Sequence, residues 1–360
     1  MGERHNILIV NPGSTSTKIA FYNGTEEICT KNYTHPREEI AKCKNHFEQL
    51  PLRVQALRDF LAENNIKKED VDFIVPRYIT IPRKHPGHFA VNQELIDYIN
   101  SQENTFHIMA LAPLIPYAVF GLDVPMAVRD SEAYTAIRPE FTVTGIPGIT
   151  RSTGGFHTDN TFAVLNKLSA ETGRKLEDMR VVVAHLGGGV SFSLADGGKV
   201  RYSMFDGEAC FSPERSGAVP LLPFIDMCYD GEHTKEQMVK YVKGAGGLVA
   251  YFGTNNALEI ENRALAGDEE AKRVYDGMLI RACACIGEVA TLAKGKVDYI
   301  ILTGGLVRGK YVRDFIEDYV GYIAPVKSYP GEFEMESFAG FALDIMEGRA
   351  SAAPYAPPEA

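Results

Sequence analysis

The feature that most limits what this chain can become is a pattern that occurs twice. Ile7-Leu-Ile-Val10 is a run of aliphatics. It leads into a turn dense in Gly, Ser and Thr (Asn11–Lys18), a second apolar run at Ile19-Ala-Phe-Tyr22, and a turn at Asn23-Gly24. Val181-Val-Val-Ala-His185 leads in the same way into Gly187-Gly188-Gly189, then Val190-Ser-Phe-Ser-Leu194, then Asp196-Gly197-Gly198. Short aliphatic runs bounded by glycine turns read as buried strands. Laid without gaps, the second stretch sets Gly187 on Gly13, Gly198 on Gly24 and His185 on Asn11. The repeat points to two structurally duplicated domains, each opening on a hairpin whose turn faces a shared cleft. At 360 residues the chain has the length for two. Gly145-Ile-Pro-Gly148 sets the expected boundary near 150. The first domain then holds 1–150 and a returning helix at about 336–350, and the second holds 151–335. The tail 351–360, with small residues and three prolines, reads as loose.

Between these marks the pattern predicts helices over 38–65, 92–101, 105–120 and 268–294. The last opens on Asp268-Glu-Glu, which suits the positive end of a helix dipole. Strands are predicted at Val71–Val75, at Pro125–Val128 running into Arg129-Asp130, and at Val297–Leu302 running into Thr303-Gly304-Gly305. The formal net charge of -10 argues against nucleic acid or an anionic membrane as partner, since both need clustered cations. Six cysteines without C-x-x-C or zinc spacing read as free thiols of a reducing compartment. No secretory h-region or bilayer-length apolar run is present, so the reading is a cytoplasmic protein without a membrane partner.

Three aliphatic strands end in glycine turns, and that recurrence carries the chemistry. Asn11–Lys18 can cradle phosphate oxygens with backbone N–H groups and hydroxyls, or be a hairpin turn with helpful hydroxyls. It is not a Walker A loop, because the G-x-x-x-x-G-K-[ST] spacing is absent and a strand follows where a helix belongs. Gly187–Gly189 leave a bare backbone suited to phosphate, with His185 at the mouth of the turn as a phosphoryl contact or a satisfied core histidine. Thr303-Gly304-Gly305 lets a flat ring and its ribose approach the backbone. Phe211-Ser-Pro-Glu-Arg215-Ser-Gly217 displays an arginine in a loop, where a guanidinium suits charge on a transferring phosphoryl group and equally suits a surface ion pair.

Together, Ile-x-x-Asn-Pro-Gly-Ser-Thr-Ser-Thr-Lys, Val-Ala-His-Leu-Gly-Gly-Gly, Phe-Ser-Pro-Glu-Arg-Ser-Gly, Gly-Gly-Leu-Val-Ala-Tyr-Phe-Gly-Thr (246–254) and Ile-Leu-Thr-Gly-Gly-Leu closely resemble the butyrate kinase branch of the acetate kinase family. That family lies within the superfamily of sugar kinases, actin and heat-shock chaperone ATPases. The resemblance spans 6 to about 346. It implies an α/β fold of two duplicated ribonuclease H-like (actin-like ATPase) domains around a nucleotide cleft. It also implies reversible transfer of the γ-phosphoryl group of ATP, with Mg²⁺, to a short-chain carboxylate, and a homodimer or larger homo-oligomer. By position, Asn11 would meet phosphate and the magnesium shell. His185 and Arg215 would stabilise the transferring phosphoryl, and Asp130 would match the catalytic aspartate. Gly13, Ser14, Thr15, Ser16, Lys18, Gly187, Gly188, Gly189, Thr303, Gly304 and Gly305 would hold the nucleotide. Glu334 would associate with the metal, an alignment that can slip to Glu332 or Glu336.

The resemblance breaks on the acyl-acid side, where it implies that Arg77, His107 and His157 bind substrate. The family's Arg-Gly-Gly is Arg77-Tyr78-Ile79 here. Its Glu-His-Ala-Ser-Asn stretch keeps only His107, and its Asp-Pro-Val-Val is Asp130-Ser131-Glu132-Ala133. The Phe-His-x-x-Asn element survives as Phe156-His157-Thr-Asp-Asn160. Two expectations follow: altered acid specificity, or a nucleotide-binding regulatory protein of the same fold with reduced or lost kinase activity.

Overall fold

The computed structural model describes residues 5–13, 15–77, 81–85, 87–101, 110–130 and 134–358. Ser14, His107 and the Tyr78-Ile79 departure lie outside them. Contacts divide the chain into two units, Met1–Ala133 with Glu334–Ala360, and Tyr134–Phe333. Gly145–Gly148 therefore sits within the second unit. The chain is tied there earlier, where Ala136 N–H donates to the Val200 carbonyl and Thr135 bridges Val200.

In the first unit, β1 (Asn6–Pro12), β2 (Ser16–Asn23) and β3 (Glu26–Thr34) form an antiparallel meander. Helices α1 (Arg37–Lys42) and α2 (Leu50–Glu63) follow. The single helix expected over 38–65 is thus broken, because Pro51 lacks an N–H and is tolerated only in the first turn of α2. β4 (Phe73–Pro76) returns parallel to β1, giving the order β3-β2-β1-β4. The unit continues through β5 (Phe89–Ala90), α3 (Gln93–Ser101), α4 (Leu111–Phe120) and β6 (Ala127–Val128). β6 pairs with β5, and the preceding Met126 bridges Ile74 of β4 in parallel.

The second unit begins with α5 (Thr158–Thr172) and the meander β7 (Arg180–Leu186), β8 (Val190–Asp196), β9 (Lys199–Phe205). Then come α6 (Leu221–Tyr229), α7 (Lys235–Val242), α8 (Leu248–Phe252), α9 (Ala257–Leu265) and α10 (Glu269–Leu292), the last capped by Asp268, whose carboxylate accepts the Ala271 N–H. β10 (Tyr299–Gly304), α11 (Lys310–Val320) and β11 (Val326–Pro330) complete a sheet of order β11-β10-β7-β8-β9. The chain then returns to the first unit as α12 (Glu334–Met346) and β12 (Ala353–Pro354). Among the described residues no helix is long and apolar enough to cross a membrane.

Strand alternation explains why both opening strands are aliphatic throughout: each sheet is covered on both faces. Leu8 and Val10 pack with Leu57 and Phe60 of α2 and Leu114 of α4, while Ile7 and Ile9 pack with Met335, Phe338 and Phe341 of α12. Val182 and Ala184 pack with Met278 and Ile286 of α10, while Val181 and Val183 pack with Phe162 and Leu165 of α5.

The duplication is real but not gapless. Arg180–Leu186 takes the place of Asn6–Pro12, so His185 is the counterpart of Asn11. Pro12 pairs with Thr17 across four intervening residues, whereas Leu186 pairs with Val190 across three. Asn23 therefore corresponds to Asp196 and Gly24 to Gly197, one residue off the ungapped overlay. The tail also departs from expectation. β12 adds to β5 in parallel, and Tyr355 is buried with its hydroxyl donating to the Pro82 carbonyl at 2.8 Å. Small residues and prolines proved compatible with an edge strand because one aromatic anchors them.

Candidate active site

In the second unit, β7 and β10 place His185 beside Thr303, both buried. Asn160 of α5, with no exposed surface, ties the two together. Its Oδ1 accepts the Phe333 N–H at 2.8 Å, and that backbone donor fixes which way the amide points. Its Nδ2 then donates to Thr303 Oγ1 at 3.2 Å and faces His185 Nδ1 at 3.0 Å. Nδ1 therefore accepts, and the neutral imidazole carries its proton on Nε2. That nitrogen lies on the side of the glycine turn, 3.3 Å from where a Cβ on Gly187 would stand. His157, in a left-handed conformation at the start of α5, stacks on His185 with ring centroids 3.9 Å apart and bonds Ser191 Oγ at 2.9 Å.

Arg215 lies over Gly189, where a Cβ would meet its guanidinium at 2.2 Å. Glycine is needed there for close approach; none of Gly187–Gly189 has a positive φ. The guanidinium pairs with Asp206 and sits 6.0 Å from the centroid of Phe156, while Lys243 Nζ lies 3.5 Å from the other Asp206 oxygen. Asp206 was not legible in sequence, since an aspartate in a polar turn carries no periodic signal.

A pocket of about 290 Å³ opens beside these groups, lined by Gly187, Gly188, Leu258, Glu261, Tyr275 and Gly305 among others. Of the Thr303-Gly304-Gly305 segment, only Gly305 lines it. The Thr303 hydroxyl is committed to Asn160 and to the Gly331 carbonyl. Gly304 has φ +98°, and a Cβ there would meet the Leu186 carbonyl at 2.3 Å, so this glycine serves the packing of β10 against β7. Glu261 and Tyr275 escaped the sequence reading. They are joined by a 2.9 Å bond from the tyrosine hydroxyl to the carboxylate.

In the first unit, Asn11 accepts at Oδ1 from Arg77 Nη1 (2.9 Å), and its Nδ2 lies 3.4 Å from Glu334 Oε2 at the start of α12. Of Glu332, Glu334 and Glu336, Glu334 is thus the one bonded to Asn11. Gly13 donates its N–H to the Ser16 carbonyl, so that donor closes the turn. The turn is braced from behind by buried Arg53, which donates to the same carbonyl at 2.7 Å, to Thr17 Oγ1 at 3.0 Å and to Gln49 Oε1 at 2.9 Å. Burial pushes the Arg53 guanidinium down to about 10. Thr15 is exposed, and Lys18 sits opposite Asn11 on β2. Asp130 has no exposed surface; its carboxylate accepts from Arg83 Nη2 (2.6 Å) and the Gly87 N–H (2.9 Å). Its own N–H donates to His88 Nδ1 at 3.0 Å. Burial first, then the Arg129 guanidinium, lowers the His88 pKa, which keeps that nitrogen an acceptor.

Two units of meander, crossover helix and parallel strands define the actin-like ATPase fold. The acetate kinase of Porphyromonas gingivalis shares it with a TM-score of 0.73 at 16% identity, over 95% of this chain and 100% of that one. The acetokinase family matches residues 6–317, and the chain belongs to that family. Butyrate kinase 2 of Clostridium acetobutylicum is 35% identical over 361 aligned residues, covering 98% of this chain and 99% of that protein. The probable butyrate kinase 2 of Caldanaerobacter subterraneus subsp. tengcongensis is 36% identical over 345, covering 95% and 97%.

Proposed function

We propose that this protein is a carboxylate kinase of the butyrate kinase type, moving the γ-phosphoryl group of ATP reversibly to a short-chain carboxylate to give an acyl phosphate and ADP. The observation that carries the reading is the juxtaposition at the end of β7. An Nε2–H on His185, a guanidinium over Gly189 and two bare glycines adjoin a pocket of nucleoside size. The near-full-length likeness to butyrate kinases supports the acceptor class.

The acceptor carboxylate is already an anionic nucleophile, so the site needs no strong base. The barrier is the approach of one anion to another. His185 donates one hydrogen bond to the phosphoryl oxygens, and its orientation is held by Asn160 and by stacking on His157. Arg215 supplies positive charge and exchanges Asp206 for the phosphoryl as the substrate arrives. Gly187, Gly188 and Gly305 admit the nucleotide, while Gly189, Thr303 and Gly304 support the groups around it. On the acceptor side Arg77 receives the acid's carboxylate, and Asp130 orients the region beside it.

Among the described residues no three His, Cys, Asp or Glu side chains cluster as a metal site. Mg²⁺ keeps several waters and binds through substrate phosphates with one or two protein groups, so a single carboxylate beside an amide fits it. Glu334 and Asn11 would hold the ion, which when bound neutralises phosphate charge. Hydroxylamine trapping across short, branched and aromatic acids, with ATP and magnesium, is expected to yield a hydroxamate. No product with any acid, while ADP still binds, would return the chain to a nucleotide-binding regulatory role.

A further inference from the structure

The C-terminal segment is fastened by hydrogen bonds to described residues of the stretch 82–92. Ala353 N–H donates to the His88 carbonyl (3.1 Å), Tyr355 N–H to the Ala90 carbonyl (3.3 Å), and Lys84 N–H to the Ala356 carbonyl (3.0 Å). The Tyr355 hydroxyl donates to the Pro82 carbonyl, and Asn92 Nδ2 to the Tyr355 carbonyl at 2.9 Å. The Tyr355 ring, 1% exposed, packs against Phe89 and Tyr98 with centroids 5.7 and 5.9 Å away. The same stretch grips Asp130 by three contacts: Arg83 Nη2, the Gly87 N–H and His88 Nδ1. Arg83 is itself steadied by Phe89, whose ring centroid lies 5.5 Å from its Cζ.

The geometry points to residues 353–356 as a strap that sets the position of Asp130, with Tyr355 and Arg83 as positioning residues for the acceptor half of the reaction. β6 pairs with Phe89 and Ala90 and the Phe341 ring meets His88; the tail adds a hold on the stretch that carries Arg83 and Gly87, and misplacement by about 1 Å costs on the order of 10²-fold in rate. Tyr355 is buried in the first unit's core with Phe89, Leu95 and Ile99, and the five hydrogen bonds add a second tie on a tail of otherwise small residues. Their load falls on the segment that carries Arg83, Gly87 and His88. The inference rests on the reading of Asp130 as an acceptor-side group.

The test uses the full-length chain with Tyr355→Phe, Tyr355→Ala, Arg83→Lys, Arg83→Gln and Asp130→Asn. It measures kcat and acid KM, ADP affinity by calorimetry, and thermal unfolding. Arg83→Gln is expected to lower kcat/KM for the acid at least about tenfold, with ADP affinity within about twofold of the parent; Arg83→Lys restores part of it. Tyr355→Ala shows the same split and Tyr355→Phe a weaker one of about two- to threefold. Unchanged acid kinetics in Arg83→Gln and Tyr355→Ala would overturn the strap. So would a loss of ADP binding that keeps pace with the loss of turnover, since the tail would then support the whole fold. Normal turnover in Asp130→Asn, with the other variants impaired, would instead remove the reading of Asp130.

Discussion

The two units use one backbone plan for opposite ends. In the second, the ladder pairs His185 with Thr303; in the first, the ladder ends at Val10–Pro76 and the next positions are Asn11 and Arg77. Thr303 is short, buried and uncharged, and with Asn160 it locks an aromatic donor in place. Arg77 is long and half-buried, and it reaches across to Asn11 from the strand end. One pair makes a fixed hydrogen-bond donor. The other makes a half-buried cation, which the proposed function assigns to the incoming acid. Duplication supplied the sheet, and the pair that follows the same register differs between its two copies.

The proposed division of roles between the units is tested most sharply at Arg215. Arg215→Ala is expected to lower turnover by about 10³–10⁵ while ADP binding persists, the scale of an arginine that stabilises a transferring phosphoryl. A near-normal rate would take phosphoryl stabilisation away from the second unit. Arg77→Ala comes next. A charge-assisted hydrogen bond is worth about 1.5–3 kcal/mol, so acid KM should rise roughly ten- to a hundredfold with ADP affinity unmoved. An equal rise in the ADP dissociation constant would show that the halves do not separate donor from acceptor.

The smallest effect concerns pH. Burial, then Arg53, depresses the pKa of His35, which bonds Thr17 at 2.8 Å. Below its ordinary value near 6.5 the unfolded chain takes up a proton that the folded chain resists. This contribution is therefore full above that pH and is lost as pH falls through it toward the folded value. Urea midpoints at pH 7.5 and 5.5 should converge in His35→Gln relative to the parent. An unchanged difference would show that the brace behind the first turn does not titrate.

Much of this was legible because strands buried on two faces leave continuous aliphatic runs, and glycine turns leave clear stops. That is why β1, β7 and β10, and the residues His185 and Gly187–Gly189 at their ends, can be read from sequence. The partners of those residues cannot. Asn160 reaches Thr303 across 143 positions, and Arg83 reaches Asp130 across 47, with no local periodicity to announce either. The one-residue difference between the two turns was hidden because glycine repeats tolerate a slip in overlay that hydrogen-bond register does not. The docked tail was hidden because composition reports average propensity, while a single buried tyrosine decided the outcome.

The first unit is discontinuous: its sheet face formed by Ile7, Ile9, Ala20 and Tyr22 is covered by Met335, Phe338 and Phe341 of α12. During synthesis that face lacks this cover until the ribosome has made α12. The continuous span Tyr134–Phe333 has all its own covering helices by then. The unit that carries Arg77 and Asp130 is therefore the last to close. A nascent chain stalled before α12 presents a bare aliphatic sheet to whatever chaperone attends it.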